Sequence, residues 1–164
     1  MFKFALSMFL IAAGASAQTV YTFGMVGVAE GQIARVNALN PGVAPPAVGV
    51  VCAAQLTFID GAGVVLKTSA VSLLPGKESY LDLFADKDLA LPVNERRQIR
   101  ATIVIPPVMV VPPPTTSTTT PVTPACTLIG TLEIFDAISG KTEVVLGGEH
   151  LVPSVTVTPP PATP

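Results

Sequence analysis

Tryptophan is absent from this chain and histidine occurs once, in 164 residues of which only 12% are charged. Each scarcity removes a class of function. His150, beside Glu149, has no second histidine to complete a usual zinc set. No Gly-x-Ser-x-Gly elbow presents a nucleophile to it either, so catalysis by a serine-hydrolase triad is not expected. The sparse charge sums to −2, and to −3 once Lys3 is removed with the leader described below. Nucleic acid and anionic lipid are therefore not expected partners. Beyond the N-terminus no run approaches the roughly 20 apolar residues of a membrane helix. Aromatic sugar platforms are scarce as well, since Tyr21 and Tyr80 are the only rings with a polar tip.

What is present points first to export. Lys3 is a short basic region, Phe4 to Ala13 an apolar run, and Ala15-Ser16-Ala17 a small-residue cleavage site. Residues 1–17 are expected to be a signal peptide and the mature protein to start at Gln18, secreted or periplasmic. No cysteine follows the site, so lipid attachment there is not expected. In an oxidising compartment Cys52 and Cys126 are expected to pair. The loop so closed holds about 75 residues, which on chain entropy is worth about 4–5 kcal/mol as an upper figure.

Val, Thr, Ala and Leu fill the chain and Gly and Pro cut it short, an all-β composition. Period-two alternation predicts strands at Val20–Val28, Gln32–Leu39, Val50–Ile59, Val64–Leu74, Ser79–Phe84, Gln98–Ile105, Cys126–Asp136 and Lys141–Leu146. Gly24 and Gly27 mark a bulge or bend in the first. Ala85 to Asn94 lacks a period and is expected to cross between sheets. Counting by twos places Cys52 with Leu56 and Phe58, and Cys126 with Leu128, Leu132 and Ile134, so both thiols face the core. The expectation is a two-sheet antiparallel sandwich of about seven to eight strands over residues 18–148. A Pro/Thr-rich loop at 106–125 and a Pro/Thr-rich tail at 149–164 lie outside its core.

The segments "GQIARVNALN", "LTFIDGAGVVL", "LLPGKESYLDL" and "LEIFDAISGKTEVV" resemble small exported bacterial immunoglobulin-like β-sandwich modules. The likeness covers about Gly31 to Val145. It implies an immunoglobulin-like fold and roles in adhesion, surface assembly or accessory binding, and it carries over no catalytic residue.

Three constellations invite chemistry. Asp82, Asp86 and Asp88, with Asp60 from another loop, suggest a calcium site, but the glycine-bearing spacing of a calcium loop is missing and Lys87 interrupts the cluster. Solvated loop charges are the preferred reading. Arg96, Arg97 and Arg100 are the one basic concentration and are read as charge protecting an edge strand, with sulfated or acidic glycans as the alternative ligand. Asp60 paired with Asp82 or Asp86 is the minimum for a glycosidase.

No catalytic, metal or cofactor residue is assigned. The expected function is a secreted, non-enzymatic structural or interaction module that meets a protein or polysaccharide and behaves as a monomer. A glycan-active or glycan-binding protein is the first alternative. A filament subunit exchanging the strand Val20–Val28 is the second.

Overall fold

A computed structural model describes residues 18–42, 51–106 and 126–151. The expected signal peptide, residues 43–50, most of the Pro/Thr-rich loop and the chain beyond Leu151 lie outside the described residues. Strands β1 (Thr19–Thr22), β2 (Val26–Ala29), β3 (Gln32–Leu39), β4 (Cys52–Asp60), β5 (Val65–Leu73) and β6 (Glu78–Phe84) come first. A single helical turn, α1 (Ala85–Asp88), leads to β7 (Arg96–Ile105), β8 (Ile129–Asp136), β9 (Thr142–Gly147) and β10 (Glu149–Leu151). They form two antiparallel sheets: a six-stranded one ordered β10-β1-β7-β4-β5, with β2 also on β7, and a four-stranded one ordered β6-β3-β8-β9. The chain is therefore all-β and a sandwich, as its alternation predicts.

Alternation decides which residues meet between the sheets. Ile99, Ala101, Ile103 and Ile105 of β7 are buried on one parity, opposed by Val36, Leu83, Leu132 and Ile134 from the other sheet. Leu56 and Phe58 of β4 complete the same layer. Among the described residues no buried side-chain nitrogen or oxygen lacks a hydrogen-bond partner.

Three expectations are corrected. The single strand Val20–Val28 is two, both paired with β7, because the chain between them carries one residue more than the facing stretch of β7. The amide of Phe23 still donates to the Ala101 carbonyl at 3.1 Å, and the surplus residue lets Phe23 and Val26 both point inward despite their odd separation. The tail expected from Glu149 instead begins with β10, which pairs with β1 through Tyr21↔His150. With the split strand, it raises the count to ten. Finally, β7 is no edge over Ile99–Val104, where it lies between β1 and β2 on one side and β4 on the other, whereas Arg96 and Arg97 pair with β2 alone. The exposed arginines occupy its first turn-proximal residues and outer face while its inward row is the centre of the core. Within the described residues the edges are β10, β2 and β5 in one sheet, β6 and β9 in the other.

Cys52 and Cys126 form the expected disulfide, with Cα atoms 5.7 Å apart. It joins the start of β4 to the lead-in of β8, and so ties one sheet to the other. Tyr21 adds a second tie, since its buried hydroxyl accepts the Leu128 amide at 3.2 Å. Its ring belongs to the core and offers no platform to a sugar.

Asn40, only 5% exposed, lies at the same end of the sandwich as the disulfide, since its partner Leu73 is in register with Cys52. Its Nδ2 donates to the Leu73 carbonyl at 3.0 Å and its Oδ1 accepts the Gly42 amide at 3.1 Å. Its backbone also pairs with Lys77 and Gly76 across the β5–β6 turn. Replacing it by Ala leaves the Leu73 carbonyl without that donor, and denaturant melts are expected to show a loss of about 1–3 kcal/mol. An unchanged midpoint would mean the latch carries no load.

Candidate functional site

Outward residues of the four-stranded sheet stand in registered rows. Arg35 faces Asp82 on one side and Glu133 on the other, and Asn37 faces Tyr80 and Thr131. Val145 of β9 extends the first row beyond Glu133. The polar parity of β3, which alternation alone marks only as solvent-facing, is thus the axis of a cross-strand network.

Arg35 holds Asp82 through two parallel bonds, Nε to Oδ1 at 2.6 Å and Nη2 to Oδ2 at 2.7 Å. Its guanidinium also lies over the Tyr80 ring at 4.1 Å and the Phe135 ring at 5.1 Å. The bond from Asp82 pushes the Arg35 pKa above its ordinary value, against partial desolvation and with help from the Asp82 charge. Asn37 Nδ2 donates to Thr131 Oγ1 and to Glu133 Oε1, both at 3.0 Å. Gln32 takes the Ala29 amide on its Oε1 at 2.8 Å and bonds Glu143 through its Nε2. Tyr80 is 55% exposed, although it sits in the middle of its strand. The Arg35–Asp82 pair is bidentate and its side chains are only 31% and 16% exposed, so it contributes to stability as well as to the shape of the face. Its consequence is a rigid face of fixed donors, acceptors and ring.

The carboxylates that suggest calcium or glycosidase chemistry are dispersed. Asp60 Oδ1 accepts the amides of Ala62 and Val64, both at 2.9 Å, and shapes the β4–β5 turn. Asp82 is committed to Arg35. Asp86 accepts the Gly31 amide at 2.8 Å. Asp88 takes Lys67 Nζ at 2.6 Å and the Phe84 amide at 2.9 Å. No three His, Cys, Asp or Glu side chains converge among the described residues. Arg96 and Arg100 share the outer face of the six-stranded sheet, while Arg97 has the parity of the inward row. His150 lies in β10, in register with Tyr21.

Sequence reasoning singles out Tyr80 and Asp82 but passes over Arg35, Asn37, Thr131, Glu133 and Phe135 as functional residues. Their polar alternation on β3 and β8 is visible, but nothing local says that these two strands are neighbours.

Two turn acids set an acid limit on stability. Burial raises the Asp88 pKa, but Lys67 and the Phe84 amide outweigh it, and the net position is below the ordinary carboxylate range. The Ser139 amide and hydroxyl hold Asp136 low in the same way. Folded values below the unfolded one, about 3.9, mean the unfolded chain binds more protons in that window. The stability they add is whole above about pH 4 and is lost as pH falls through the folded values. Urea midpoints taken at descending pH should show this fall, and Asp88→Asn should flatten it. An identical slope in that variant would rule out Asp88 as a source.

A family model described as auxin binding protein matches residues 10–113. The matched span runs past the end of β7 and includes Arg35, Asn37, Tyr80 and Asp82. No curated protein and no solved structure matches the chain, and no match supports the immunoglobulin-like assignment.

Proposed function

Because this chain belongs to the auxin binding protein family, we propose that it is a non-enzymatic binding module whose contact surface is the outer face of the four-stranded sheet. The observation that carries the proposal is Arg35 fixed by Asp82 between two rings, with Tyr80 more than half exposed beside it. The polar side-chain atoms buried among the described residues already have partners, which supports a surface site over one between the sheets. The leader-like residues 1–17 and the disulfide support a role outside the cytoplasm. The partner is a protein or polysaccharide, and the module works as a monomer.

The two alternatives gain less. Paired-acid hydrolysis needs two carboxylates facing one bond, whereas Asp60 and Asp82 lie in different sheets and each already has a partner. Strand exchange by β1 would break pairings with both β7 and β10.

The test is a panel of glycans, chromogenic glycosides and auxin, the ligand that the family's description names. Binding without turnover is expected. Turnover that vanishes in Asp82→Ala would overturn the non-enzymatic assignment.

A further inference from the structure

We infer that the outer face of the four-stranded sheet takes an uncharged polysaccharide, with the Tyr80 ring as its stacking platform, an inference that rests on that face being the contact surface. Three neighbouring strands supply two adjoining rows, Tyr80-Asn37-Thr131 and Asp82-Arg35-Glu133. Strands about 4.8 Å apart and same-face residues about 6.8 Å apart make this a flat patch of about 10 by 7 Å. That shape suits an extended chain of sugar rings lying on the sheet rather than a small molecule in a pocket.

Charge narrows the class of ligand. Arg35 is neutralised by Asp82, while Glu133 and Glu143 are held by the neutral amides of Asn37 and Gln32. The face thus carries excess negative charge with no free cation among these six groups, which repels sulfated or uronic polymers. A protein partner would have to bring a cation of its own to bury Glu133, and the desolvation of such a pair is a cost that protein interfaces avoid by depleting charge from their centres. Sugar hydroxyls meet the same carboxylates as donors while the site stays partly wet. Asn37 spends its amide nitrogen within the sheet, which leaves its carbonyl oxygen as a further acceptor. The Tyr80 ring supplies the apolar contact that a pyranose C–H face requires. One face of the ring is held by the Arg35 guanidinium at 4.1 Å, so little side-chain entropy is lost on binding.

Native affinity electrophoresis of the purified chain tests this, with gels containing hydroxyethyl cellulose, a soluble β-1,3-glucan, dextran or galactomannan, and with heparin and alginate gels as anionic comparisons. Retardation is expected in at least one uncharged polymer and in neither anionic one. Tyr80→Ala should weaken it about tenfold, the worth of one aromatic contact. Tyr80→Phe should retain it, and Arg96→Ser with Arg100→Ser should leave it unchanged. Melting curves of each variant separate lost binding from lost folding, and the Phe variant keeps the test sharp if the Ala variant is unstable. No retardation in any uncharged polymer, or equal retardation of a folded Tyr80→Ala chain, overturns the inference. Retention by heparin or alginate alone, or by a protein ligand, that Tyr80→Ala abolishes would leave the contact surface standing and remove the uncharged glycan. Binding that is indifferent to Tyr80 would remove both.

Discussion

A chain carrying Cys52→Ala and Cys126→Ala together is expected to lose about 3–5 kcal/mol of unfolding free energy. The bond joins residues 74 apart in sequence, and closing a loop of that size removes about 4–5 kcal/mol of unfolded-state entropy on the chain-entropy account. Its placement adds to the effect, since Cys52 is fully buried where β4 begins and the bond ties β4 to the lead-in of β8. Removing both thiols avoids leaving a reactive one behind. Melting temperature should fall by an amount of the order of 10–20 °C, and wild-type protein melted with reductant should follow the double variant. A midpoint that moves by a degree or two would show that the seam is held by packing alone.

The second large effect is expected at Phe23, which is 2% exposed at the break between β1 and β2. A Cβ at Gly148 would stand 2.9 Å from two carbons of its ring, and one at Gly130 would stand 2.9 Å from its Cζ. The ring therefore occupies the space that two glycines leave open where β8 and the β9–β10 link approach, and Gly148 N donates to the Gly130 carbonyl there at 3.3 Å. Phe23→Ala should cost about 3–5 kcal/mol. Gly148→Ala should cost about 1–3 kcal/mol by overpacking. In the Phe23→Ala background that second penalty should largely disappear, because the atoms it meets are gone. Denaturant unfolding of the four proteins in this cycle measures the coupling, and simple additivity would show that the glycine is required for some other reason.

Strand after strand was legible in the sequence for a plain reason: alternation at period two records which residues face a core, whoever the neighbours are. Gln32–Leu39 carries that record over eight residues, and the structure begins and ends β3 at the same places. A three-residue strand such as β10 is too short to hold a period, and the break at Phe23 depends on one surplus residue that shifts the parity. The order of strands was not legible. Arginines on β7 suggest an edge, yet an exposed outer face accepts charge equally well on a central strand whose other face is buried.

The binding face needed the same missing information. Arg35 meets Asp82 across 47 residues of sequence, and Asn37 meets Glu133 across 96. Both contacts exist only because β6 and β8 flank β3. The acids that look like a metal cluster in one dimension are dispersed in three, Asp82 into an ion pair with Arg35 and Asp60 into a turn. Asp60 and Asp136 each accept amides from the two to four residues that follow, which is how short Asp-containing turns satisfy their backbone.

Amide chemical-shift mapping of the isotope-labelled chain, with the uncharged polysaccharides and auxin added in turn, tests the proposed contact surface most directly. Shifts are predicted to centre on Arg35, Asn37, Tyr80, Asp82 and Glu133, and to be absent from Gln55, Thr57 and Thr68 on the outer face of the six-stranded sheet. Shifts centred instead on that opposite face, or on the loop end around the exposed Ile138, would contradict the account.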